Sequence, residues 1–145
     1  MKALSVKQPW AELIALGAKP IEVRTWRTDY RGPLAIVAST APATDAMHDR
    51  PEIDCSVRGA LVCVVELVDV RALRRGDRFA AAGETPGRAR KGDAEEHEGV
   101  FAWVLRAPRR CLTVPVRGRL SLYTIDDAIV RYVNAKADAL GKVAS

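Results

Sequence analysis

GAKPIEVRTW, residues 17–26, sets Lys19, Glu22 and Arg24 among Ile21, Val23 and Trp26. Pro20 disfavours helix at the residue before it, and the β-branched Ile21, Val23 and Thr25 favour a strand. Successive strand side chains point to opposite faces. Ile21, Val23 and Thr25 therefore share one face, and Glu22, Arg24 and Trp26 share the other. The first can join a core. The second lines up an acid, a base and an indole, with Lys19 in the preceding turn within reach. On spacing alone the charges read as a solvated edge carrying a Glu22–Arg24 ion pair worth under about 1 kcal/mol, or as a functional cluster of acid, base and indole on one face.

Outward from this stretch, KALSV (2–6) alternates as a strand, and Pro9 opens a short helix over 9–16. Trp10, Leu13 and Ile14 form the apolar side of that helix and Gly17 ends it, which places Trp10 in the core. After the turn DYRG (29–32), LAIVAS (34–39) reads as a buried strand and GALVCVVELVDV (59–70) as a long one. Residues 40–55 are polar and at most weakly helical. Residues 72–98 read as a long, mobile excursion with a helical turn near Ala72. FAWVLR (101–106) is a strand with Trp103 inward, and 111–123 offers strand material around Pro115 and Gly118. Thr124 and Asp127 then cap an expected helix over 124–141. Strands are not separated by regular helices, so the expected class is α+β: a single domain over 1–145 forming a small, mostly antiparallel barrel with flanking helices.

The 145 residues suit one domain, and 48% hydrophobic with 28% charged content suits a globular one. No apolar run approaches the ~20 residues of a membrane span, and the first ten residues lack the apolar segment of a secretory signal, so a cytoplasmic protein with no membrane partner is expected. The formal charge is +5, with the basic excess mostly arginine, which suits phosphate and nucleic-acid partners. Arg71, Arg74, Arg75 and Arg78, and later Arg106, Arg109, Arg110, Arg117 and Arg119, are candidates to track a phosphate backbone if they share a face with that cluster. Otherwise they are solvated surface. The three cysteines form no C-x-x-C, and His48 and His97 have no ligand spacing. Neither a metal nor a cofactor is expected, and Cys63 reads as a small core residue.

The stretch SVKQPWAELIALGAKPIEVRTW, continued by YRGPLAIVAS and later by FAWVL and PVRGRLSLY, resembles the ASCH family. Its G-x-K-x-x-E-x-R pattern appears as Gly17, Lys19, Glu22 and Arg24. The resemblance implies a PUA-like β-barrel with these residues clustered at a cleft. Members of the family have been assigned RNA binding, ribonuclease activity and, in one branch, hydrolysis of acetylated cytidine. That branch uses a lysine matching Lys19, a distant glutamate, and a threonine nucleophile where this chain has Glu22. Thr25 is near, but strand parity puts it on the opposite face. Glu66 is the candidate for the distant carboxylate, because a charge within LVCVVEL must find a partner or face a cleft.

Three classes of function follow. The leading one is an RNA- or nucleotide-binding module in which Lys19, Arg24, Trp26, Tyr30 and Arg31 contact the ligand. Trp26 and Tyr30 are its candidates for base stacking, worth ~1–3 kcal/mol per base. The second is an enzyme acting on RNA or a modified nucleoside, ribonuclease or acetylcytidine amidohydrolase-like. There Glu22 is the base, Lys19 the acid or electrostatic stabiliser and Arg24 the phosphate clamp. The third is a protein-interaction module whose cleft is vestigial.

Overall fold

The computed structural model describes residues 1–133. Six strands form one sheet: β1 (Lys2–Val6), β2 (Ile21–Arg24), β3 (Gly32–Ala38), β4 (Ala60–Arg74), β5 (Glu96–Arg110) and β6 (Tyr123–Thr124). The helices are α1 (Trp10–Ala15), α2 (Thr44–Asp49) and α3 (Arg78–Ala82), with single 3-10 turns at Arg75–Asp77 and Asp127–Ile129. The class is α+β, as the sequence implies. The sheet order is β2-β5-β4-β3-β1-β6.

Two features differ from the expected barrel. The sheet is mixed, because β1 runs parallel to β3 from Lys2↔Leu34 to Val6↔Ala38. It is also not closed: β2 forms one edge and β6 the other. The reason lies in β1. β6 pairs only with Lys2 and Ala3, so beyond Ala3 one side of β1 carries no strand. The sheet nevertheless curls. The register of β4 on β5 shifts at three places, between Val64 and Glu66, Leu67 and Asp69, and Ala72 and Leu73, and such bulges bend and twist a ribbon. The curl brings β2 up to the unpaired half of β1, where Arg24 Nη2 donates to Ser5 O at 2.8 Å. A side chain bridges the gap that a strand ladder would have closed.

The core lies inside the curl. Leu4, Val6, Ile14, Leu34, Ile36, Val65, Leu67, Trp103 and Leu105 form one buried cluster. Ala35, Val37, Leu61, Val64, Tyr123 and Ile125 belong to a second, on the other face of the sheet. From Leu34 to Ala38 β3 is wholly apolar and fully buried, covered on both faces. Cys63 is buried as well. Helix α1 docks through apolar contacts and one ion pair: Arg110, near the end of β5, grips the buried Glu12 carboxylate with both Nη atoms. Gly17, at φ +79°, turns the chain out of α1, and the amides of Ala18 and Lys19 both donate to Leu13 O. That turn aims Lys19 back under the helix.

Residues 72–98 hold more regular structure than the sequence suggests. β4 runs on to Arg74, α3 follows, and β5 begins at Glu96. The basic-to-acidic run pairs with itself. Arg71 donates both Nη atoms to Asp77, at 2.8 and 2.9 Å, and Arg78 Nη1 donates to Asp93 at 2.7 Å. The expected helix over 124–141 does not form in its described part. Asp126 accepts from Ala128 N at 2.9 Å, starting a 3-10 turn, and Tyr132 then bridges to Cys111 as extended chain. Ile129, Val130 and Tyr132 favour that extended state. Residues 134–141 of that expectation lie outside the described residues. Residues 111–122 contribute only isolated bridges at Cys111 and Pro115 rather than a strand.

Trp103 anchors the inner core. It is fully buried, sits edge-on to Trp26 with ring centroids 4.7 Å apart, and donates from Nε1 to Trp26 O at 3.2 Å. Trp103→Ala is expected to cost about 3–5 kcal/mol of folding free energy, read as a lowered midpoint in urea.

Candidate functional site

The unclosed seam between β1 and β2 opens into a cavity of about 800 Å³. Its walls include Ser5 of β1, Glu22 and Arg24 of β2, Lys19 of the preceding turn, and the indoles of Trp10 and Trp26. Lys19 and Glu22 are almost completely buried, at 3% and 7% exposure. A buried charge is costly unless paired and hydrogen-bonded, and both are. Lys19 Nζ donates to Ile21 O at 2.7 Å and to Ala81 O, and stands 3.5 Å from Glu22 Oε1. Glu22 Oε1 also accepts from its neighbour Val23 N at 3.1 Å, and Oε2 accepts from Arg24 Nη2 at 2.9 Å. Arg24 uses only Nη2 for these described bonds, so its remaining N–H groups are available at the cavity wall.

The electrostatic environment of Lys19 is set by competing effects. Burial lowers its pKa from the ordinary 10.5, the Glu22 carboxylate pushes it back up, and Arg24 and Arg50 lower it further. Lys19 Nζ lies 5.3 Å from the centroid of the Trp10 ring and the Arg50 guanidinium carbon 4.8 Å from it. Arg50 also donates to Ala82 O at 2.7 Å. The last carbonyls of α3 thus accept from two cations, which fastens the excursion beside the cavity. The glycine that ends α3, Gly83, packs on Leu13 with φ +69°, where an added Cβ would approach Leu13 Cδ1 to 3.1 Å.

Lys19, Glu22, Arg24 and Trp26 come together in this cavity; Tyr30, Arg31 and Glu66 do not line it. Tyr30 is engaged elsewhere: its hydroxyl donates to Pro33 O, and burial, with the Glu66 carboxylate second, raises its pKa above the ordinary 10.0. Arg31 donates to Thr28 O and Tyr30 O and reaches Asp69 at 3.8 Å. Glu66 is exposed on β4, between Pro33 and Arg106 in the sheet, so solvent accommodates its charge. Val23 and Thr25, which strand parity sets opposite Glu22 and Arg24, also border the cavity. Trp10, the first residue of α1, packs partly buried against the inner core and borders the cavity as well. Of the later arginines, Arg119 lines the cavity whereas Arg106, Arg109 and Arg110 do not. Among the described residues no cluster of His, Cys, Asp or Glu is arranged to hold a metal, and no helix is long and apolar enough to cross a membrane.

Residues 4–114 match the ASCH domain family model. Human activating signal cointegrator 1 is 24% identical over 143 residues, covering 87% of this chain and 22% of that protein. The chain thus spans about a fifth of that relative's length. Among solved structures, the ASCH protein of Zymomonas mobilis is 12% identical with a TM-score of 0.55, over 99% of this chain and 96% of that one. A Tyr-to-Phe variant of the same protein is 13% identical, also with a TM-score of 0.55, over 99% and 98%. These likenesses bear on the fold.

The lowered pKa of Lys19 has a signature in stability. Between the folded value and 10.5 the unfolded chain holds a proton that the folded chain has released. The unfolded state binds more protons there, so this group makes unfolding free energy rise with pH across that window. Below the folded value the full cost of burying the charge remains. Lys19→Met is expected to remove that rise, seen when urea-unfolding free energies of the two proteins are compared from neutral pH to pH 10.

Proposed function

The chain belongs to the ASCH domain family, and on that premise we propose that it binds RNA or a nucleotide in the seam cavity. The observation that carries this reading is the cavity's composition. Two indoles and a buried Lys19–Glu22–Arg24 chain face one space of about 800 Å³. That volume falls in the ~300–1,000 Å³ range of small-molecule sites. A base stacks on Trp26 or Trp10, each worth ~1–3 kcal/mol. The free N–H groups of Arg24 meet a phosphate or ribose oxygen, and Arg119 borders the same cavity. Glu22 acts on the ligand through Arg24, whose guanidinium it holds in place.

A second reading is catalytic, and one observation favours it: a lysine with a lowered pKa 3.5 Å from a carboxylate inside a cleft. In RNA cleavage Glu22 would take the 2′-hydroxyl proton and Lys19 would neutralise the phosphate or protonate the leaving oxygen, worth about 10²–10⁴-fold. In amide hydrolysis of an acetylated cytidine, the hydroxyl-bearing residues that border the cavity are Ser5, Thr25, Ser39 and Ser121. The bonding of Lys19 weighs toward binding. Its ammonium already donates to Ile21 O and Ala81 O and faces Glu22, so all three protons have acceptors in the protein.

One experiment separates these readings. Wild type, Arg24→Ala, Trp26→Ala and Glu22→Gln are titrated with fluorescein-labelled single-stranded RNA at low and moderate salt, and RNA and acetylcytidine are incubated with each and read by mass spectrometry. For a binding module, Arg24→Ala weakens binding about tenfold or more through loss of a charge-assisted hydrogen bond, and no product forms. Product from wild type that disappears in Glu22→Gln establishes the enzyme. Neither binding nor product leaves a protein-interaction module.

A further inference from the structure

The seam cavity does not end at Arg119. A second cavity of about 750 Å³ continues from it, and the two share Ser5, Lys7, Ser39, Arg119 and Leu120 as a common partition. The far side of the second is formed by Thr40, Gly59 and the segment from Pro115 to Gly118, including Arg117. Among the described residues five cations line the joined groove (Lys7, Lys19, Arg24, Arg117 and Arg119) against one carboxylate, Glu22. Glu22 is already engaged by Lys19 and Arg24. Among the described residues Lys7, Arg117 and Arg119 make no salt bridge, as holds also for Arg106 and Arg109 outside the groove, whereas Arg71, Arg75, Arg78 and Arg110 are paired to carboxylates. The unpaired cations thus include a line along the groove, and Lys7 and Arg119 stand at the partition between its two halves.

The partition has an unusual crest. Leu120 is 94% exposed, the most open large apolar side chain among the described residues, and it borders both cavities. Ser121 beside it holds φ +58°, a conformation a non-glycine residue adopts at a cost. An apolar knob between two polar-rimmed cavities, flanked by free cations, suits a strand whose adjacent bases lie on either side of it. The phosphate that joins them then passes the cations at the crest.

We infer that the groove takes two consecutive nucleotides of a single strand. The first base lies in the seam cavity, the linking phosphate passes Lys7 and Arg119, and the second nucleotide lies in the cavity bounded by Thr40 and Arg117. This rests on the nucleotide reading of the seam cavity and narrows it from a mononucleotide to a strand. A phosphodiester brings charge to the crest, which a free nucleoside lacks. A single strand, rather than a duplex, fits because the bases must part around Leu120.

The test compares the four ribonucleoside 5′-monophosphates with the matching 5′-phosphorylated homodinucleotides by titration calorimetry on the full chain at low salt. A dinucleotide is expected to bind about tenfold or more tightly than its mononucleotide, the gain of one charge-assisted hydrogen bond. Arg117, exposed and bordering only the second cavity, gives the discriminating variant. Arg117→Ala is expected to reduce the dinucleotide gain, leaving the part that Lys7 and Arg119 contribute at the linking phosphate, and to keep the mononucleotide affinity, with thermal unfolding unchanged. For longer single strands the same variant is expected to reduce the salt slope by about 0.7. Mononucleotide binding with no dinucleotide gain overturns the two-nucleotide groove alone. So does a gain undiminished in Arg117→Ala, or an equal loss for both ligands. Absence of binding by any of these ligands, and by longer RNA, overturns the nucleotide reading of the seam cavity and this inference with it.

Discussion

The buried ammonium of Lys19 is the constraint around which the seam is arranged. A charge at 3% exposure requires acceptors from every direction that water would have supplied. It finds three acceptors in two separate stretches of chain: Ile21 O and the Glu22 carboxylate at the start of β2, and Ala81 O at the end of α3. Together they fix three segments. The Gly17 turn must bring Lys19 under α1, β2 must present Glu22 on its seam side, and α3, more than sixty residues away in sequence, must finish at this point. Breaking such a buried pair by removing one partner typically costs about 3–5 kcal/mol, because the other charge is left stranded. The residues that shape the cavity are therefore also residues that hold the fold together.

The seam itself follows from strand lengths. β6 pairs with only two residues of β1, and β2 is only four residues long. Neither edge has the reach to complete a backbone ladder with the other, so the sheet stays open where they meet. The Arg24 side chain crosses the opening to Ser5 O, as a longer link than a ladder hydrogen bond. An opening bridged by side chains leaves room for a ligand and lines it with the polar groups the bridge requires. Charge density in GAKPIEVRTW and the missing ladder are thus two aspects of one arrangement.

Local signals in the sequence were faithful wherever one element determined the outcome. The apolar strand 34–39, the short helix stopped by Gly17, inward Trp103 and the face shared by Glu22 and Arg24 all follow from spacing and turn chemistry, and the structure carries them. What spacing does not supply is which cavity a residue borders. By parity Val23 and Thr25 fall on the face opposite Glu22, yet both border the seam; Trp10 packs against the core as its helix face predicts and borders the seam as well. Glu66 looked costly in an apolar strand, but the pleat turns it to solvent. Tyr30 and Arg31 follow the motif closely in sequence, yet β3 carries that turn toward Pro33 and Asp69. Closure of the barrel was illegible too: it depends on two residues of pairing between β1 and β6 that leave little trace in composition.

The charge balance of the seam bears on what can occupy it. Lys19, Glu22 and Arg24 together carry one positive charge that no described side chain in the cavity cancels. In a half-enclosed space such a charge interacts far more strongly than at an open surface, since the effective dielectric is lower. A neutral nucleoside entering the cavity would displace water from that charge and offer only dipoles in return. A ligand bearing a phosphodiester brings the missing negative charge and lets Arg24 donate to it through N–H groups not committed to Glu22 or Ser5. The same arithmetic disfavours a carboxylate-rich protein segment less than a neutral one, but the two indoles add a preference that acidic peptides do not satisfy and bases do. On the proposed function, charge and stacking surface together favour a phosphate-linked base over a neutral nucleoside or an acidic peptide, and the cations beyond the partition extend that proposal along a strand.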